Sequence, residues 1–282
     1  MKLFRYGESG REKPGVLDSE GRKRSLAGII DDVRGDALSP RGLAKLRALD
    51  FAKLPLIDGE PRFGPCVAGV GKFLCIGLNY ADHAAETGAQ VPSEPVVFMK
   101  ATSAIIGAND DVEIPRGALK CDLEVELGVV IGSHAKYVSK ERALEHVAGF
   151  CVVNDLSERE YQLERGGQWD KGKGCDTFGP IGPYLVTRDE VRDPQNLSLW
   201  LDVDGRRFQT GNTRTMIFTV AHLVSYVSHF MSLQPGDVIS TGTPPGVGLG
   251  QKPTPIYLHA GQTMQLGIEG LGEQRQRTVA SR

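Results

Sequence analysis

Three carboxylates alternate with apolar side chains in one acidic segment of the sequence. Asp122, Glu124 and Glu126 occupy every second position within residues 121–131, and Leu and Val stand between them. A period of two is typical of a β-strand and would place the three carboxylates on one face, about 6 to 7 Å apart. At an effective dielectric constant of about 20, each adjacent pair repels by roughly 2 to 3 kcal/mol. Solvent would relieve much of this repulsion, whereas a bound hard cation would relieve it and explain it.

The alternative is an ordinary antiparallel strand with one face in water. A solvated face normally carries charges of both signs, yet no basic residue occurs between Lys120 and Gly132. A further acid, Asp155, ends the apolar run that begins at residue 149, where a predicted strand gives way to a polar segment. Carboxylates at strand ends are well placed for a site because the scaffold is rigid and the loop beyond it is open.

Two more groups carry side chains that can do acid–base or electrostatic chemistry. His83 and Glu86 are three residues apart after a possible N-cap at Asn79, so a helix would place them on one face. A carboxylate that orients an imidazole makes a good general base at neutral pH, although a solvated helix start is the alternative. Lys171 and Lys173 lie among glycines, and they matter only if their loop approaches the acidic residues.

The glycine-rich segment 241–250 is not a phosphate-binding loop, because it lacks the Gly-Lys-Ser/Thr ending. It follows a predicted strand and is followed by a proline-rich stretch that cannot easily open a helix. Its glycines allow close approach of a ligand to the backbone, and Thr241 and Thr243 offer hydroxyl groups. The segment is therefore predicted to be a structured loop that frames a substrate.

Composition excludes several classes of protein. The chain has 282 residues, 40% of them hydrophobic, and 33 basic residues balance 35 acidic ones, so a nucleic-acid partner is not expected. No apolar run approaches 18 residues and the N-terminus breaks too early for a signal peptide, so we expect a soluble, cytoplasmic protein without a membrane partner. Five scattered cysteines without a Cys-x-x-Cys pair fit neither a disulfide framework nor a zinc site.

The pattern of elements indicates a β-rich chain with few helices. Proline and glycine concentrate in residues 54–65 and predict a seam between a small N-terminal α/β region, residues 1–65, and a larger catalytic domain, residues 66–282. From residue 72 onward short apolar runs predict strands, and Asp204-Gly205 predicts a hairpin turn. Helical patterns are predicted at 26–33, 41–49, 81–86, 139–146, 157–163 and 219–230.

Several blocks together resemble the fumarylacetoacetate hydrolase family. They occur in family order at residues 77–86, 122–132, 154–162 and 172–178, and residues 241–248 are similar to the last loop of the family. The resemblance implies an α+β, mainly β fold: a mixed β-sandwich or roll with peripheral helices, preceded by the small α/β region. It also implies a homodimer. Residues 157–173 resemble a bacterial subgroup linked to sugar-acid breakdown, some members of which carry the label ureidoglycolate lyase.

The resemblance also assigns the metal site. The family binds a divalent ion through positions that correspond to Glu124, Glu126 and Asp155, which leaves Asp122 as a supporting group. An all-oxygen set of ligands without Cys or His agrees with this, because it selects Mg²⁺, Mn²⁺ or Ca²⁺ over zinc. We expect Mg²⁺ as the cofactor, with Mn²⁺ or Ca²⁺ as the alternatives.

Catalytic and substrate-binding roles follow from the same correspondence. His83, oriented by Glu86, is the implied general base, and Lys173 is the implied cation that balances substrate or oxyanion charge. The positions that correspond to substrate-binding residues are Tyr80, Arg159, Gln162 and Thr243. Two departures from the family pattern, Glu158-Arg159-Glu160 and Cys175, leave the choice of substrate open.

These residues predict a divalent-metal-dependent hydrolase. Its partner would be a small 2-oxo acid, and the reaction would cleave the C3–C4 bond of an acylpyruvate or a 2,4-dioxo-3-deoxy sugar acid to release pyruvate. The same metal site could instead serve a ureidoglycolate lyase, a 2-hydroxyhepta-2,4-diene-1,7-dioate isomerase or an oxaloacetate decarboxylase. A third interpretation is a non-catalytic module that binds metal and small acids.

Overall fold

The computed structural model describes residues 1–82, 86 and 90–281, and strands dominate this part of the chain. Besides the helical residues 81, 82 and 86, this described part contains four α-helices, which are short and peripheral: α1 Pro40–Arg47, α2 Arg159–Leu163, α3 Asp170–Lys173 and α4 Val220–Phe230. The strands are β1 Lys2–Tyr6, β2 Lys13–Leu17, β3 Lys23–Ser25, β4 Phe73–Gly77, β5 Val96–Lys100, β6 Ile105–Ile106, β7 Val112–Ile114, β8 Cys121–Asp122, β9 Val125–Ile131, β10 Val147–Asn154, β11 Ser157–Glu158, β12 Gly179–Thr187, β13 Ser198–Val203, β14 Arg206–Asn212, β15 Val238–Ser240, β16 Thr263–Ile268 and β17 Gly272–Ala280.

The largest sheet carries the elements that position the acidic residues. Its strand order is β3-β2-β1-β12-β10-β9-β15-β4-β5, with β6 paired to β12 outside this path. Most neighbours are antiparallel, while β15 with β4 and β12 with β6 are parallel, so the sheet is mixed. β9 and β10 are buried along their whole length, as expected for central strands covered on both faces.

A second sheet, in the order β14-β13-β16-β17-β7, packs against the first. Side chains from both sheets share one hydrophobic core, which includes Leu127 of β9 and Leu266 of β16. The predicted hairpin at Asp204-Gly205 is confirmed: both residues have positive φ, 49° and 78°, between the paired strands β13 and β14. The expected mainly β fold with few helices and mixed sheets is likewise confirmed.

The N-terminal strands continue the large sheet. β1 pairs with β2 on one side and with β12 on the other, where Leu3 is opposite Leu185. The side chains of this region contribute to a second buried cluster together with residues such as Val130 and Val153 of the central strands. The proposed domain boundary at residue 65 stays a prediction.

Two of the predicted helices are confirmed, and others need correction. α1 and α4 begin after Ser39 and Thr219, whose side chains accept hydrogen bonds from the helix backbone. Residues 26–33 form a turn closed by a bridge between Ala27 and Ile30, because Gly28 has φ +84° and cannot continue a helix. Residues 139–146 contain only the 3₁₀ turn Ala143–His146.

The remaining helical predictions are partly met. α2 starts at Arg159 rather than at residue 157, because the two preceding residues pair with β8. Residues 81, 82 and 86 are helical as predicted, and residues 83–85 lie outside the described part of the chain. None of the helices that the structure describes is long and apolar enough to cross a membrane.

The acidic segment is not one continuous strand, so that prediction was wrong. β8 ends at Asp122 and β9 begins at Val125, with Glu124 in the break between them. The reason is that side chains replace the strand ladder: Asn154 Oδ1 accepts from the Glu124 amide at 3.2 Å, and Gln209 Oε1 accepts from the Val125 amide at 2.9 Å. Because of this break, the Glu124 side chain is not held in the orientation of a regular strand and can face other partners.

Candidate metal centre and active site

Three carboxylates meet at the adjoining ends of β9 and β10. One oxygen each from Glu124, Glu126 and Asp155 lie within 4.8 Å of one another, and all three residues are buried. The register explains this proximity, because Val153 of β10 is opposite Glu126, and the Asp155 amide donates to the Glu124 carbonyl at 2.9 Å. The structure therefore brings together the three residues that the sequence marks as metal ligands.

Two of the predicted site residues supply positive charge to this acidic cluster. Lys173 Nζ lies 2.6 Å from Glu124 Oε2 and 2.8 Å from Asp155 Oδ2. Arg159 bridges two acids, with Nη2 2.6 Å from Glu124 Oε1 and Nε 2.8 Å from Asp122 Oδ2. The segment that carries Lys173 thus approaches the acidic cluster. A role for this lysine at the site was expected only if the two came together.

Lys100, the last residue of β5, is a site residue that sequence reasoning missed. Its ammonium is buried and donates to Asp155 Oδ1 at 2.6 Å and to the Leu156 carbonyl at 2.8 Å. Its position in the sequence could have identified it. Lys100 ends an apolar strand, just as Asp155 ends an apolar run.

Glu126 is held by neutral donors. Ser240 Oγ and the Gly242 amide donate to its Oε2 at 2.5 Å and 2.9 Å. Burial, together with the charges of Asp155 and Glu124, raises the pKa of the Glu126 carboxyl well above its usual value. The repulsion between neighbouring carboxylates that the sequence predicts therefore acts mainly on the Glu126 side chain.

Lys173 and Arg159 keep their charge despite burial. Burial alone would lower the pKa of Lys173, but Asp155 and Glu124 raise it above the ordinary value. The same competition, with Asp122 and Glu124 as partners, raises the pKa of Arg159. Positive charge at this site is therefore fixed across the physiological pH range.

The donor set fits a hard divalent cation. Among the described residues, the carboxylates of Asp122, Glu124 and Asp155 form ion pairs with Lys100, Arg159 and Lys173, whereas Glu126 accepts only from neutral donors. The candidate ligands, Glu124, Glu126 and Asp155, offer oxygen atoms within a radius that one ion can span.

The glycine-rich loop 241–250 is tied to the same region. Asp122 accepts hydrogen bonds from the amides of Gly248 and Leu249 at 2.6 Å and 3.0 Å, which fixes the end of this loop. Thr243 Oγ1 donates to the Val125 carbonyl at 2.9 Å and accepts from Gln209 Nε2 at 2.8 Å. The predicted substrate residue Thr243 therefore lies beside β9 and is rigidly held.

A cavity of about 260 Å³ opens onto the acidic cluster. Its volume lies just below the range of roughly 300 to 1,000 Å³ that is typical for drug-sized ligands, which indicates a small substrate. Its polar lining comprises Glu124, Glu126, Arg159, Gln162, Lys173 and Thr243, and its apolar lining comprises Ile76, Leu78, Phe98, Leu163, Trp169 and Leu249. Three of the predicted substrate residues are thus on its wall.

The remaining predicted residues lie in or next to the segment that follows β4. Glu86 is half-buried, and both of its carboxylate oxygens accept from the Gly246 amide at 3.0 Å, so it reaches the glycine-rich loop. His83 lies outside the described residues. Tyr80 is fully buried behind the cavity instead of lining it, and its hydroxyl has no hydrogen-bond partner among the described residues.

Comparisons with known proteins agree with this architecture. The family described as Fumarylacetoacetate (FAA) hydrolase C-terminal matches residues 72–279, so the chain belongs to the fumarylacetoacetate hydrolase family. A provisionally named hydrolase of Burkholderia orbicola (strain MC0-3) is 69% identical over 278 residues, which cover 99% of each protein. The predicted family membership is confirmed, while the sugar-acid subgroup stays a prediction.

Solved structures show the same fold over the whole chain. Fumarylacetoacetate hydrolase from psychrophilic Exiguobacterium antarcticum is 33% identical with a TM-score of 0.86, and 100% of each chain is covered. A 2-hydroxyhepta-2,4-diene-1,7-dioate isomerase from Mycobacterium marinum is 30% identical with a TM-score of 0.76, covering 100% of this chain and 99% of the other. Maleylpyruvate hydrolase from Sphingobium sp. SYK-6, solved with manganese(II) and pyruvate, is 25% identical with a TM-score of 0.83 and full coverage of both chains.

Proposed function

We propose that this protein is a divalent-metal-dependent hydrolase that cleaves a carbon–carbon bond of a 2,4-dioxo acid to release pyruvate. The observation that carries the proposal is the buried triad of Glu124, Glu126 and Asp155, of which Glu124 and Glu126 line a small cavity. Support comes from the similar maleylpyruvate hydrolase, whose structure contains manganese(II) and pyruvate. The triad would hold Mg²⁺ or Mn²⁺, which prefer carboxylate oxygens.

The overall reaction adds water across the C3–C4 bond. The water oxygen bonds to C4, the C3–C4 bond breaks, and C3 takes up a proton, so the products are a carboxylic acid and pyruvate. When bound, the divalent ion supplies a Lewis acid that stabilises negative charge on the 2-oxo acid head group.

Residues of this chain would carry out the remaining steps of the reaction. His83 would take the proton from the attacking water, and Glu86, three residues further along the chain, would orient the imidazole. The Gly246 amide donates to both carboxylate oxygens of Glu86, so the glycine-rich loop holds the carboxylate that would orient His83.

The polar wall of the cavity would position the head group. Arg159 Nη1 donates to Gln162 Oε1 at 3.0 Å, which turns the Gln162 amide so that its NH₂ group remains available as a donor. Lys173 keeps a fixed positive charge next to Glu124 and would balance the charge that develops on the substrate. Orientation and electrostatics are therefore supplied by residues that are already held by ion pairs.

The proposal is tested by incubating the purified protein with Mg²⁺ or Mn²⁺ and a panel of acylpyruvates, oxaloacetate and ureidoglycolate. Pyruvate release is followed by coupling to lactate dehydrogenase. We expect release from acylpyruvates that stops in excess EDTA, together with a carboxylic acid product in equal amount. Turnover of ureidoglycolate without pyruvate from any acylpyruvate would overturn the proposal.

A second candidate is an isomerase. The similar structure from Mycobacterium marinum is named as a 2-hydroxyhepta-2,4-diene-1,7-dioate isomerase, which supports keeping this candidate. Isomerisation of that compound moves a double bond without consuming water, so it is followed by the change in ultraviolet absorption with no new carboxylic acid. Isomerisation at a higher kcat/KM than any pyruvate-releasing reaction would favour this candidate.

A further inference from the structure

The cavity lining combines charged and apolar side chains. Its charged residues are Glu124, Glu126, Arg159 and Lys173, and its apolar side chains, which we name the apolar wall, are Ile76, Leu78, Phe98, Leu163, Trp169 and Leu249. These six residues come from four separate parts of the chain, so the apolar wall is a product of the fold and not of one hydrophobic segment. The wall faces whatever part of the ligand extends beyond the head group.

An aromatic pair makes this wall rigid. The rings of Phe98 and Trp169 are 5.3 Å apart with an angle of 65° between their planes, which is a favourable edge-to-face contact. The indole also lies directly against Gly77, where an added Cβ would come within 2.5 Å of Trp169 Cζ3. Trp169 is therefore packed in place and offers a fixed aromatic surface to the ligand.

The basic side chains on the cavity surface already form ion pairs with acidic residues of the protein. Each guanidinium nitrogen of Arg159 is engaged: Nε with Asp122, Nη2 with Glu124 and Nη1 with Gln162. Lys173 donates to Glu124 and Asp155. Within the described part of the cavity lining, these are the two basic residues, so a second carboxylate on the ligand would meet no uncommitted positive charge.

Hydroxyl groups on the far end of a ligand would fare no better. A hydroxyl that leaves water without a new hydrogen bond loses the free energy of its hydration, and five of the six side chains of the apolar wall carry no donor or acceptor, the exception being the indole N–H of Trp169. A hydrocarbon or aromatic group loses nothing of this kind and gains from burial.

We infer that the acyl end of the substrate is a small apolar group, so that the substrate is an acylpyruvate with an alkyl or aryl tail in preference to a sugar acid or a dicarboxylate. This inference rests on the proposed function and narrows its substrate class. It favours the acylpyruvate over the sugar acid, both of which the sequence resemblance left open.

The first test measures binding without turnover. The Mg²⁺-loaded protein is titrated by calorimetry with 2-oxooctanoate, 2-oxoadipate and 4,5,6-trihydroxy-2-oxohexanoate, which share the head group, are similar in size and lack the carbonyl at C4. We expect 2-oxooctanoate to bind tightest, by about tenfold or more, and with the most negative heat-capacity change. Any other order of affinity overturns the inference, whether or not the protein cleaves acylpyruvates.

The second test introduces one positive charge at the cavity, which should shift the binding preference from the alkyl tail toward the dicarboxylate. Leu163 lines the cavity rim with 45% of its surface exposed, so Leu163→Arg introduces a guanidinium without burying it. We expect Leu163→Arg to improve the affinity for 2-oxoadipate relative to 2-oxooctanoate by about tenfold. The matched control is Leu56→Arg, because Leu56 is 52% exposed and is not part of the cavity lining. An equal shift in both variants overturns the inference.

Turnover separates this inference from the proposed function. We compare kcat/KM for pyruvate release from 2,4-dioxooctanoate and from 5,6-dihydroxy-2,4-dioxohexanoate, which have the same number of non-hydrogen atoms. Faster cleavage of the alkyl compound supports both proposals, and faster cleavage of the dihydroxy compound overturns only the tail preference. If neither compound releases pyruvate, the proposed function fails, and the binding order of the 2-oxo acids decides the tail preference independently.

Discussion

Lys100 Nζ lies 2.6 Å from Asp155 Oδ1 in an ion pair whose two side chains are completely buried. The other carboxylate oxygen of Asp155 accepts from Lys173 Nζ at 2.8 Å. One ammonium comes from the end of β5 and the other from α3, so Asp155 is fixed between two elements that lie far apart in sequence. The position of a candidate metal ligand therefore depends on a lysine that no motif identified.

Replacement of this lysine should destabilise the fold. Lys100→Met retains the aliphatic chain but leaves the Asp155 carboxylate with one ammonium partner fewer in a buried environment. Loss of one partner of a buried ion pair costs about 3 to 5 kcal/mol, so we expect a decrease of this size in the free energy of unfolding, measured by urea denaturation in EDTA.

Lys171→Met is the control, because Lys171 is exposed and, among the described residues, its ammonium donates only to the Arg165 carbonyl in the same segment. We expect this control to change the free energy of unfolding by less than about 0.5 kcal/mol. If Lys100→Met is as stable as the control, the buried ion pair does not have the structural role assigned to it here.

Metal should stabilise the protein more at high pH than at low pH. Burial and the nearby Asp155 and Glu124 carboxylates raise the pKa of Glu126, so the folded protein binds this proton more tightly than the unfolded chain does. The contribution of Glu126 to the free energy of unfolding is therefore largest below its unfolded pKa of about 4.3 and is lost as pH rises through the folded pKa. A divalent ion replaces the proton, so the increase in Tm on adding Mg²⁺ should grow with pH.

The measurement is a thermal melt with and without Mg²⁺ at about pH 5.5 and about pH 8.5, with EDTA in the metal-free samples. Glu126→Gln removes the titrating group but keeps an acceptor for Ser240 Oγ and the Gly242 amide. We expect this variant to lose the pH dependence of the Mg²⁺ effect. An equal increase in Tm at both pH values in the wild type would contradict the prediction.

Removal of the proposed general base should abolish turnover and leave the metal site intact. His83→Ala should reduce kcat for pyruvate release by about 10² to 10⁴, because a positioned base contributes a factor of this size. Metal affinity by calorimetry and Tm should remain close to wild type, since the candidate ligands are Glu124, Glu126 and Asp155. The control is His259→Ala, because His259 is exposed. Retained turnover in His83→Ala would exclude His83 as the base.

A glycine that positions Lys173 should not tolerate a side chain. An added Cβ at Gly172 would lie 2.3 Å from the Glu158 carbonyl oxygen, which is backbone and cannot move aside easily. We expect Gly172→Ala to lower the free energy of unfolding by about 1 to 3 kcal/mol and to weaken Mg²⁺ binding, because α3 would shift away from the triad.

Gly174→Ala is the matched control for this prediction. An added Cβ at Gly174 approaches its nearest neighbour, the Asp170 carbonyl oxygen, only to 3.0 Å, so the required adjustment is smaller. The free energy of unfolding is measured by urea denaturation and Mg²⁺ binding by calorimetry. Equal losses in both variants would show that α3 does not need the close approach at Gly172.

Local patterns in the sequence identified the elements whose causes are themselves local. The hairpin at Asp204-Gly205 depends on two residues that accept positive φ, and α4 depends on the Thr219 cap. The same reasoning failed at residues 26–33, where one glycine in a left-handed conformation decides against a helix. Apolar spacing alone does not reveal the backbone conformation of a single glycine.

Local sequence patterns could not predict the break between β8 and β9. The alternating pattern of residues 121–131 favours one strand, yet Gln209 and Asn154 capture the backbone amides at the break. Gln209 is 84 residues away from Val125, so no local window contains this competition.

The sequence by itself determined which side chains could bind a divalent ion, and its motif blocks determined the family. Only the tertiary structure decided how the acidic cluster is neutralised and what surrounds the ligand: Lys100 lies 55 positions before Asp155, and the apolar wall joins Trp169 to Phe98. The physical reason is that ion pairing and burial depend on distances of a few ångströms in space. Pairing of β4, β5, β9 and β10 sets those distances, whereas spacing along the chain does not.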